Sequence, residues 1–150
     1  MMRTVLLALP VALLTLGASA QWSLPSDDVP AYHKAPPVSG EKLAPVLGPQ
    51  QLKAAGLTQP WQARVYALAG RIPRVLYQLP CNCRCDRALG HASLLSCFTG
   101  THGGECSTCA QEGVYAYRMT RAGKTPAQIR AGIAAHEYES INLTDLNGQS

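Results

Sequence analysis

Six cysteines crowded into one short stretch constrain this chain more than any other feature. The stretch runs from Cys81 to Cys109, and the rest of the 150 residues contains no cysteine. A C-x-C-x-C group is followed by a single cysteine and then by a C-x-x-C pair. The positions are Cys81, Cys83, Cys85, Cys97, Cys106 and Cys109. Such spacing is compatible with a disulfide framework, a metal site or a redox site, so we expect the fold to be organised around these thiols.

The C-x-C-x-C group predicts three sulfur atoms on one side of the chain. In an extended segment alternate side chains point the same way, so Cys81, Cys83 and Cys85 would form a row of soft ligands. A disulfide between two neighbours in this row would be strained. The spacing therefore favours ligation or exchange over a simple bridge within the group.

The C-x-x-C pair is expected at the start of a helix, with Cys109 as its first residue and Cys106 in the preceding loop. Unpaired backbone N–H groups and the helix dipole stabilise a thiolate at such a position. Arg84 and Arg87 add positive charge nearby in sequence. This arrangement favours either nucleophilic sulfur chemistry or metal ligation.

Apolar periodicity predicts a small all-α domain over residues 60–140, organised around the six-cysteine cluster, with no convincing pair of strands. The expected helical segments run from Pro60 to the break at Pro73, over residues 75–79 and 89–98, from Thr108 to Arg121, and from Thr125 onwards.

Two sequence patterns predict where the last helices begin. Thr108 with Gln111 and Thr125 with Gln128 both fit a capping box. In the last helix, His136 shares the apolar stripe of Ile129 and Ile133 and is expected to pack in the core, and residues 141–150 are expected to form a polar, frayed tail.

The N-terminus has the pattern of a secretory signal peptide over residues 1–20. Arg3 precedes an apolar run over residues 5–16, and small residues at 18–20 offer a cleavage point. The run is too short to cross a bilayer. We therefore expect export to the periplasm or the extracellular space, with no membrane span after cleavage.

Residues 21–59 are expected to form a proline-rich, flexible spacer. Seven of the eleven prolines fall between Gln21 and Pro60, and apolar periodicity is weak there. Such a stretch buries too little surface to offset the entropy of ordering it.

Several functional classes are excluded by the sequence. The net charge is only +4, and no run of basic residues is interleaved with aromatics, so no nucleic-acid partner is expected. Ala110 follows the C-x-x-C pair where covalent c-type haem needs a histidine. The helical surroundings do not match a thioredoxin fold, and no catalytic nucleophile–histidine pair is singled out.

The histidines are weaker candidates. His91 lies between the first cysteine group and Cys97, and His102 lies in a glycine-rich loop before the C-x-x-C pair. Either can serve as a ligand or a proton shuttle. His33 lies in the spacer and has no evident role.

The motif resembles that of the exported bacterial PCYCGC-motif proteins. The resemblance rests on Leu79–Cys85 (L-P-C-N-C-R-C), on the glycine, histidine, serine, cysteine and phenylalanine of Gly90–Phe98, and on Cys106–Cys109. Asn82 stands where the family usually has tyrosine, and Arg84 stands where it usually has glycine.

This resemblance extends over about Trp61–Tyr138 and implies sulfur chemistry beyond structural bridging. Many members of the family look like lipoproteins, whereas this chain has no anchoring cysteine. Some relatives look as though they carry selenocysteine within the motif, and selenium would be hard to explain in a purely structural bridge.

The leading hypothesis is an extracytoplasmic thiolate metal-binding protein with Cu(I), or else Zn, as its ion. The expected ligands are all six cysteines, with His91 as a further ligand or as a donor to one. A single zinc ion would bind four sulfurs and leave two unused, so six cysteines favour a site with more than one soft metal ion. The number of cysteine ligands also suits an iron–sulfur cluster.

Two alternatives remain open at this point. The first is a thiol–disulfide oxidoreductase in which Cys106 or Cys109 attacks and the other resolves. The second is a non-enzymatic binding module held by disulfides. The metal-binding hypothesis implies a partner protein that donates or accepts the metal, and the oxidoreductase alternative implies a thiol-redox partner protein.

Overall fold

The computed structural model describes residues 28–148 of the chain. The predicted signal peptide and the first residues of the predicted spacer lie outside this range. Within it the chain forms α-helices and two 3₁₀ helices. They are α1 (Pro49–Ala54), α2 (Pro60–Ala69), α3 (Pro73–Leu76), α4 (Cys85–Leu89), α5 (Leu94–Thr99), α6 (His102–Glu105), α7 (Ser107–Arg121), α8 (Pro126–Ala134), η1 (Glu137–Ser140) and η2 (Leu143–Gly148).

The longest helix, α7, lies at the centre of the fold. It packs against α2, α6, α8 and η1. Its buried face includes Ala110, Val114 and Ala116, all fully shielded from solvent. The predicted all-α class is confirmed, and residues 28–148 contain no strand. None of the helices in that range is both long and apolar enough to cross a membrane.

Phe98 packs against two glycines at the centre of the core. A Cβ atom at Gly113 of α7 would lie 2.5 Å from the Phe98 ring, and one at Gly103 of α6 would lie 2.6 Å from it. Both distances are far inside van der Waals contact. The absence of these side chains allows α5, α6 and α7 to approach closely, which brings Cys97, His102 and Cys109 into the same cluster of side chains.

The predicted helices agree with the structure at α2 and α8 and differ elsewhere. The Thr125 hydroxyl accepts a hydrogen bond from the Gln128 N–H, as a capping box requires. The helix expected over residues 89–98 begins only at Leu94, because Gly90 adopts a left-handed conformation and ends α4. The glycine-rich loop before Cys106 contains the short helix α6.

The predicted start of α7 was wrong by two residues. Cys106, and not Thr108, is the N-cap residue, and the helix begins at Ser107. The extended backbone of Cys106 ends α6 and starts α7 directly, which leaves no room for the predicted capping box at Thr108.

The expectation that His136 packs in the core was also wrong. Its backbone has a left-handed φ of 59° and forms the N-cap of η1, so the chain turns before its side chain reaches the buried stripe. His136 is exposed and lies 2.9 Å from a Glu139 carboxylate oxygen. Tyr138 is buried instead.

The described part of the proline-rich segment lies against the helices. His33 stacks on Tyr77 with ring centroids 3.7 Å apart, and the Leu47 N–H donates to the Phe98 carbonyl oxygen at 3.0 Å. Leu52 of α1 is buried in the core. Residues 28–59 therefore contact the domain along much of their length, and the boundary at residue 60 stays a prediction.

The segment after Ser140 also packs on the domain. Ile141 and Leu146 are buried, and η2 lies against α2. The Ile141 carbonyl oxygen accepts a hydrogen bond from the Gln111 side chain at 2.8 Å. These contacts hold residues 141–146 against α2 and α7.

Candidate metal centre

The C-x-C-x-C group forms a turn and not the extended row that its spacing suggested. The Arg84 N–H donates to the Cys81 carbonyl oxygen at 3.3 Å, which closes the turn, and Cys85 is the first residue of α4. Ahead of the turn, the Leu79 carbonyl oxygen accepts a hydrogen bond from the Leu94 N–H at 2.8 Å. The turn still gathers the three sulfurs, because it curls the chain around them.

Arg84 is the residue that makes this turn possible. Its φ of 61° lies in the left-handed region, which glycine adopts without steric cost and other residues rarely adopt. This conformation explains why a glycine at this position suits the motif. The Arg84 guanidinium lies 3.2 Å from the carboxylate of Asp28 and 3.5 Å from that of Asp86, which holds the strained residue in place.

Three sulfurs form a close triangle at the centre of the site. The Sγ atom of Cys81 lies 3.2 Å from that of Cys109 and 3.3 Å from that of Cys83, and the Cys83–Cys109 separation is 3.4 Å. The Sγ atom of Cys85 lies within 4.8 Å of all three. Cys81, Cys85 and Cys109 are buried, whereas Cys83 is partly exposed.

A second group of donors extends from Cys85. The Cys97 sulfur lies 3.5 Å from that of Cys85 and 3.3 Å from Nδ1 of His91. Cys97 projects from α5 and is fully buried, while His91 follows Gly90 at the end of α4 and is partly exposed. The predicted association of His91 with the cysteines is therefore present in the structure.

The third group lies on the more exposed side. Nε2 of His102 lies 3.6 Å from the Cys83 sulfur, and Cys106 joins these two and Cys109 within 4.8 Å. His102, Cys83 and Cys106 are each partly exposed. The His102 ring meets the His91 ring edge-on, with centroids 5.5 Å apart, so the two histidines border the same side of the cluster.

The position of α7 favours negative charge at the site. Cys106 is its N-cap residue and Cys109 lies in its first turn, where unpaired N–H groups and the helix dipole favour a thiolate. Cys109 is thus two residues further into the helix than expected from the sequence. Within the metal-free cluster this effect is outweighed at Cys109: hydrogen bonding with Cys81 lowers the pKa of its thiol, but hydrogen bonding with Cys83 and Cys85 raises that pKa overall.

Hydrogen bonding among the thiols lowers the pKa of some cysteines and raises the pKa of others. Hydrogen bonds from Cys109 and then Cys81 lower the pKa of Cys83 to about 5. Hydrogen bonding with Cys109, followed by Cys81, also lowers the pKa of Cys85, whereas hydrogen bonding with Cys109 and Cys83 raises that of Cys81. The cluster therefore favours a mixture of thiolates and thiols that donate to them.

Glu112 is a residue of the site that the sequence reasoning missed. It lies on α7 one turn after Cys109 and is fully buried. One carboxyl oxygen, Oε1, accepts a hydrogen bond from the Asn82 N–H at 2.8 Å. The other, Oε2, has no hydrogen-bond partner among the described residues. Burial raises the pKa of this carboxyl to about 8, against smaller opposing effects of the Cys81 thiol and the Asn82 N–H.

A signal for Glu112 was present in the sequence. An acidic residue three positions after a cysteine, on a helix face that otherwise carries alanine and valine, indicates a buried carboxyl with a specific partner. Asn82 is that partner, and its side-chain amide also donates to the Ile133 carbonyl oxygen at 3.0 Å. Asn82 thus joins the motif turn to both α7 and α8.

All seven residues predicted for the site lie together, and His102 joins them. His33 and His136 lie elsewhere. All six cysteines are free thiols in the structure, and their closest Sγ–Sγ separations of 3.2 to 3.5 Å exceed the S–S bond length of about 2.05 Å. The donor atoms form overlapping groups of three or four that can hold a metal ion.

Comparison with known proteins adds one finding. Neither curated proteins nor solved structures contain a significant match to this chain. A family model described as "Protein of unknown function with PCYCGC motif" matches residues 56–142, which include the whole cysteine cluster, Glu112 and α8. This match covers more than half of the chain. The chain therefore belongs to the family of proteins with a PCYCGC motif.

Proposed function

We propose that this protein binds a soft metal ion through its cysteine thiolates, with Cu(I) as the favoured ion and Zn as the alternative. The observation that carries the proposal is the triangle formed by Cys81, Cys83 and Cys109, whose sulfurs lie 3.2 to 3.4 Å apart. A disulfide joins two sulfurs and leaves a third unused, whereas a metal ion is bound by three or four together.

The dimensions of the triangle support a shared ion. Four sulfurs arranged tetrahedrally at the usual zinc–sulfur bond length of about 2.3 Å are separated from one another by about 3.8 Å. The triangle needs to expand by only about half an ångström to reach that geometry. The turn and the start of α7 therefore hold these donors close to their ligating positions.

The chemistry of the donors supports a soft ion. Thiolates bind Cu(I) and Zn in preference to hard ions such as Mg²⁺ or Ca²⁺, and an imidazole suits both metals. No carboxylate belongs to the groups of metal-capable residues among the described residues. Cu(I) is favoured because it accepts the three-coordinate sulfur environment that the triangle offers and because more donors surround it than one zinc ion uses.

The proposal includes a location outside the cytoplasmic membrane and exchange with a partner protein. The location rests on the signal-peptide pattern of residues 1–20. The exchange rests on the partial exposure of Cys83 and Cys106, which gives a donor or acceptor protein access to two ligands. A metal-carrying partner can replace one ligand at a time through such an opening.

The test uses protein purified anaerobically in reduced form and offered Cu(I) or Zn(II) separately, followed by removal of loosely held metal and elemental analysis. Retention of at least one ion per chain is expected. The Cys81→Ser/Cys109→Ser double variant should retain fewer ions than the unaltered protein, whereas His136→Gln, which changes an exposed histidine outside the site, should retain as many. Failure of the unaltered protein to retain either metal would reject the proposal.

One observation favours a second candidate function, thiol–disulfide exchange. The pKa of Cys83 is lowered to about 5, and this residue is partly exposed with two thiols within 3.4 Å of its sulfur. A thiolate with neighbouring thiols can attack a disulfide of a partner and be released by a second cysteine. Metal-free protein that reduces a partner's disulfide while forming one of its own would support this function.

A further inference from the structure

The eight sulfur and nitrogen donors of the site divide into three overlapping groups. Within each group the donor atoms all lie within 4.8 Å of one another. The central group consists of Cys81, Cys83, Cys85 and Cys109. The outer group consists of Cys83, His102, Cys106 and Cys109. The lateral group consists of Cys85, His91 and Cys97.

The groups share cysteines and not histidines. Cys83 and Cys109 belong to both the central and the outer group, and Cys85 belongs to both the central and the lateral group. A thiolate sulfur has enough lone pairs to bridge two soft ions, as in multinuclear metal–thiolate centres, whereas an imidazole nitrogen binds one ion. The shared donors are thus those whose chemistry permits sharing.

We infer that the site holds a cluster of three Cu(I) ions, one in each group, joined by bridging thiolates of Cys83, Cys85 and Cys109. This inference rests on the proposed soft-metal function. His102 then binds only the outer ion and His91 binds only the lateral ion, so each end of the cluster has one nitrogen donor. The central ion is bound by sulfur alone.

A single ion would leave the geometry unexplained. One ion in the central group uses at most four sulfurs and leaves Cys97 and Cys106 without a role, although Cys97 is fully buried with its sulfur 3.3 Å from Nδ1 of His91. Two ions in the outer and lateral groups leave Cys81 without a role, and any other pair of positions leaves one histidine-containing group unused. Three ions use every donor that the fold gathers.

Burial gives the three positions different access to solvent. Three of the four outer donors are partly exposed, whereas three of the four central donors and two of the three lateral donors are buried. The outer ion is therefore expected to exchange with chelators first. The central and lateral ions are retained longer because most of their ligands are packed in the core.

The experiment is an anaerobic titration of the reduced full-length protein with Cu(I) alone, with bound ions counted by native mass spectrometry. Saturation at three ions per chain is the expected result. Binding of no copper would reject Cu(I) as the ion of the proposed function and overturn this inference with it. Saturation at one or two ions, or above three, would leave that function standing and overturn the three-ion cluster.

Variants at the two ends of the cluster test the assignment of ions to groups. Cys106→Ser should weaken the outer ion and Cys97→Ser the lateral ion, each giving two retained ions under chelator competition. Because Cys97 is fully buried and its variant can fail to fold, His91→Gln at a partly exposed position is the second lateral variant. His136→Gln is the matched control and should retain three.

X-ray absorption at the copper edge supplies a readout that needs no variant. Bridging sulfurs bring neighbouring copper ions close together, so a copper–copper scattering path is expected in the loaded protein. Saturated protein that shows copper–sulfur scattering without this path would overturn the inference, because its ions would be bound separately.

Discussion

Glu112 accepts a hydrogen bond from the backbone N–H of Asn82 at 2.8 Å, although thirty residues separate them in sequence. The bond ties α7, which carries Cys109, to the turn that carries Cys81 and Cys83. It also places a fully buried carboxyl beside the thiols. Glu112 therefore holds α7 and the motif turn together and makes the free energy of unfolding depend on pH.

Replacing Glu112 by glutamine is predicted to remove part of the pH dependence of folding. Burial raises the pKa of Glu112 from 4.5 to about 8. Between these values the folded chain keeps a proton that the unfolded chain releases, so the free energy of unfolding falls as pH rises from about 4.5 to 8. At 1.36 kcal/mol per pKa unit, the full shift corresponds to about 5 kcal/mol.

Urea unfolding of the metal-free, reduced protein at pH 5 and pH 8.5 measures this effect. Glu112→Gln keeps the acceptor for the Asn82 N–H, so it should match the unaltered protein at pH 5 and exceed it in stability at pH 8.5. Glu41→Gln, at an exposed carboxylate whose hydrogen bond from the Val38 N–H a glutamine can also accept, is the control and should leave the difference between the two pH values unchanged. An equal pH dependence in the Glu112 variant would contradict the prediction.

Replacing Gly113 by alanine is predicted to destabilise the fold despite the higher helix propensity of alanine. The new Cβ atom would lie 2.5 Å from the Phe98 ring, which is fully buried. Overpacking of this kind costs about 1–3 kcal/mol, which outweighs a propensity gain of about 1 kcal/mol.

Thermal unfolding monitored by circular dichroism tests this prediction. Gly100→Ala is the matched control, because a Cβ there meets no atom within 4 Å and the backbone is extended. If Gly113→Ala were as stable as Gly100→Ala, there would be room for a Cβ atom between α7 and the Phe98 ring, which would contradict the prediction.

The sequence predicted the helices whose ends carry local signals. Pro60 and the capping box at Thr125 mark where α2 and α8 begin, and Gly123 marks where α7 ends with a left-handed conformation. These features depend on neighbouring residues alone. The start of α5 has no such local signal: the chain first leaves α4 at the left-handed Gly90, and the Leu94 N–H then bonds to the distant Leu79 carbonyl oxygen.

The composition of the site was predictable, whereas its arrangement was not. Cysteine spacing indicated which sulfurs belong together, but the division into three groups depends on the left-handed turn at Arg84. Arginine rarely adopts that conformation, so the residue pattern did not indicate a turn in place of an extended row. The burial of Glu112 likewise depends on where Asn82 lies after folding.

The left-handed conformation of Arg84 predicts an unusual order of variant stabilities. Arg84→Gly removes a steric cost of about 1–2 kcal/mol together with partly exposed ion pairs worth at most about 1 kcal/mol. Arg84→Ala loses the ion pairs and keeps the steric cost. The glycine variant should therefore be more stable than the alanine variant by about 1 kcal/mol in urea unfolding, and the opposite order would argue against a left-handed turn.

The acidity of Cys83 predicts how its alkylation depends on pH. Hydrogen bonds from Cys109 and Cys81 lower its pKa from 9.0 to about 5, so in the metal-free protein it is a thiolate from pH 6 upwards. Because the thiolate is the species that reacts, its alkylation rate should be nearly constant between pH 6 and 8, whereas that of an ordinary thiol rises roughly a hundredfold. The rate is followed by mass spectrometry of the peptide that contains Cys83.

The same measurement separates the two candidate functions. Stoichiometric Cu(I) should protect Cys83 from alkylation, because a sulfur bound to metal is not free to attack. Cys83→Ser identifies the labelled position and sets the background from the other thiols. Constant, rapid alkylation that Cu(I) does not slow would favour thiol–disulfide exchange, since a reactive thiolate would then remain available in the presence of the metal. A rate that rises with pH like that of an ordinary thiol would contradict the lowered pKa and remove the support for exchange.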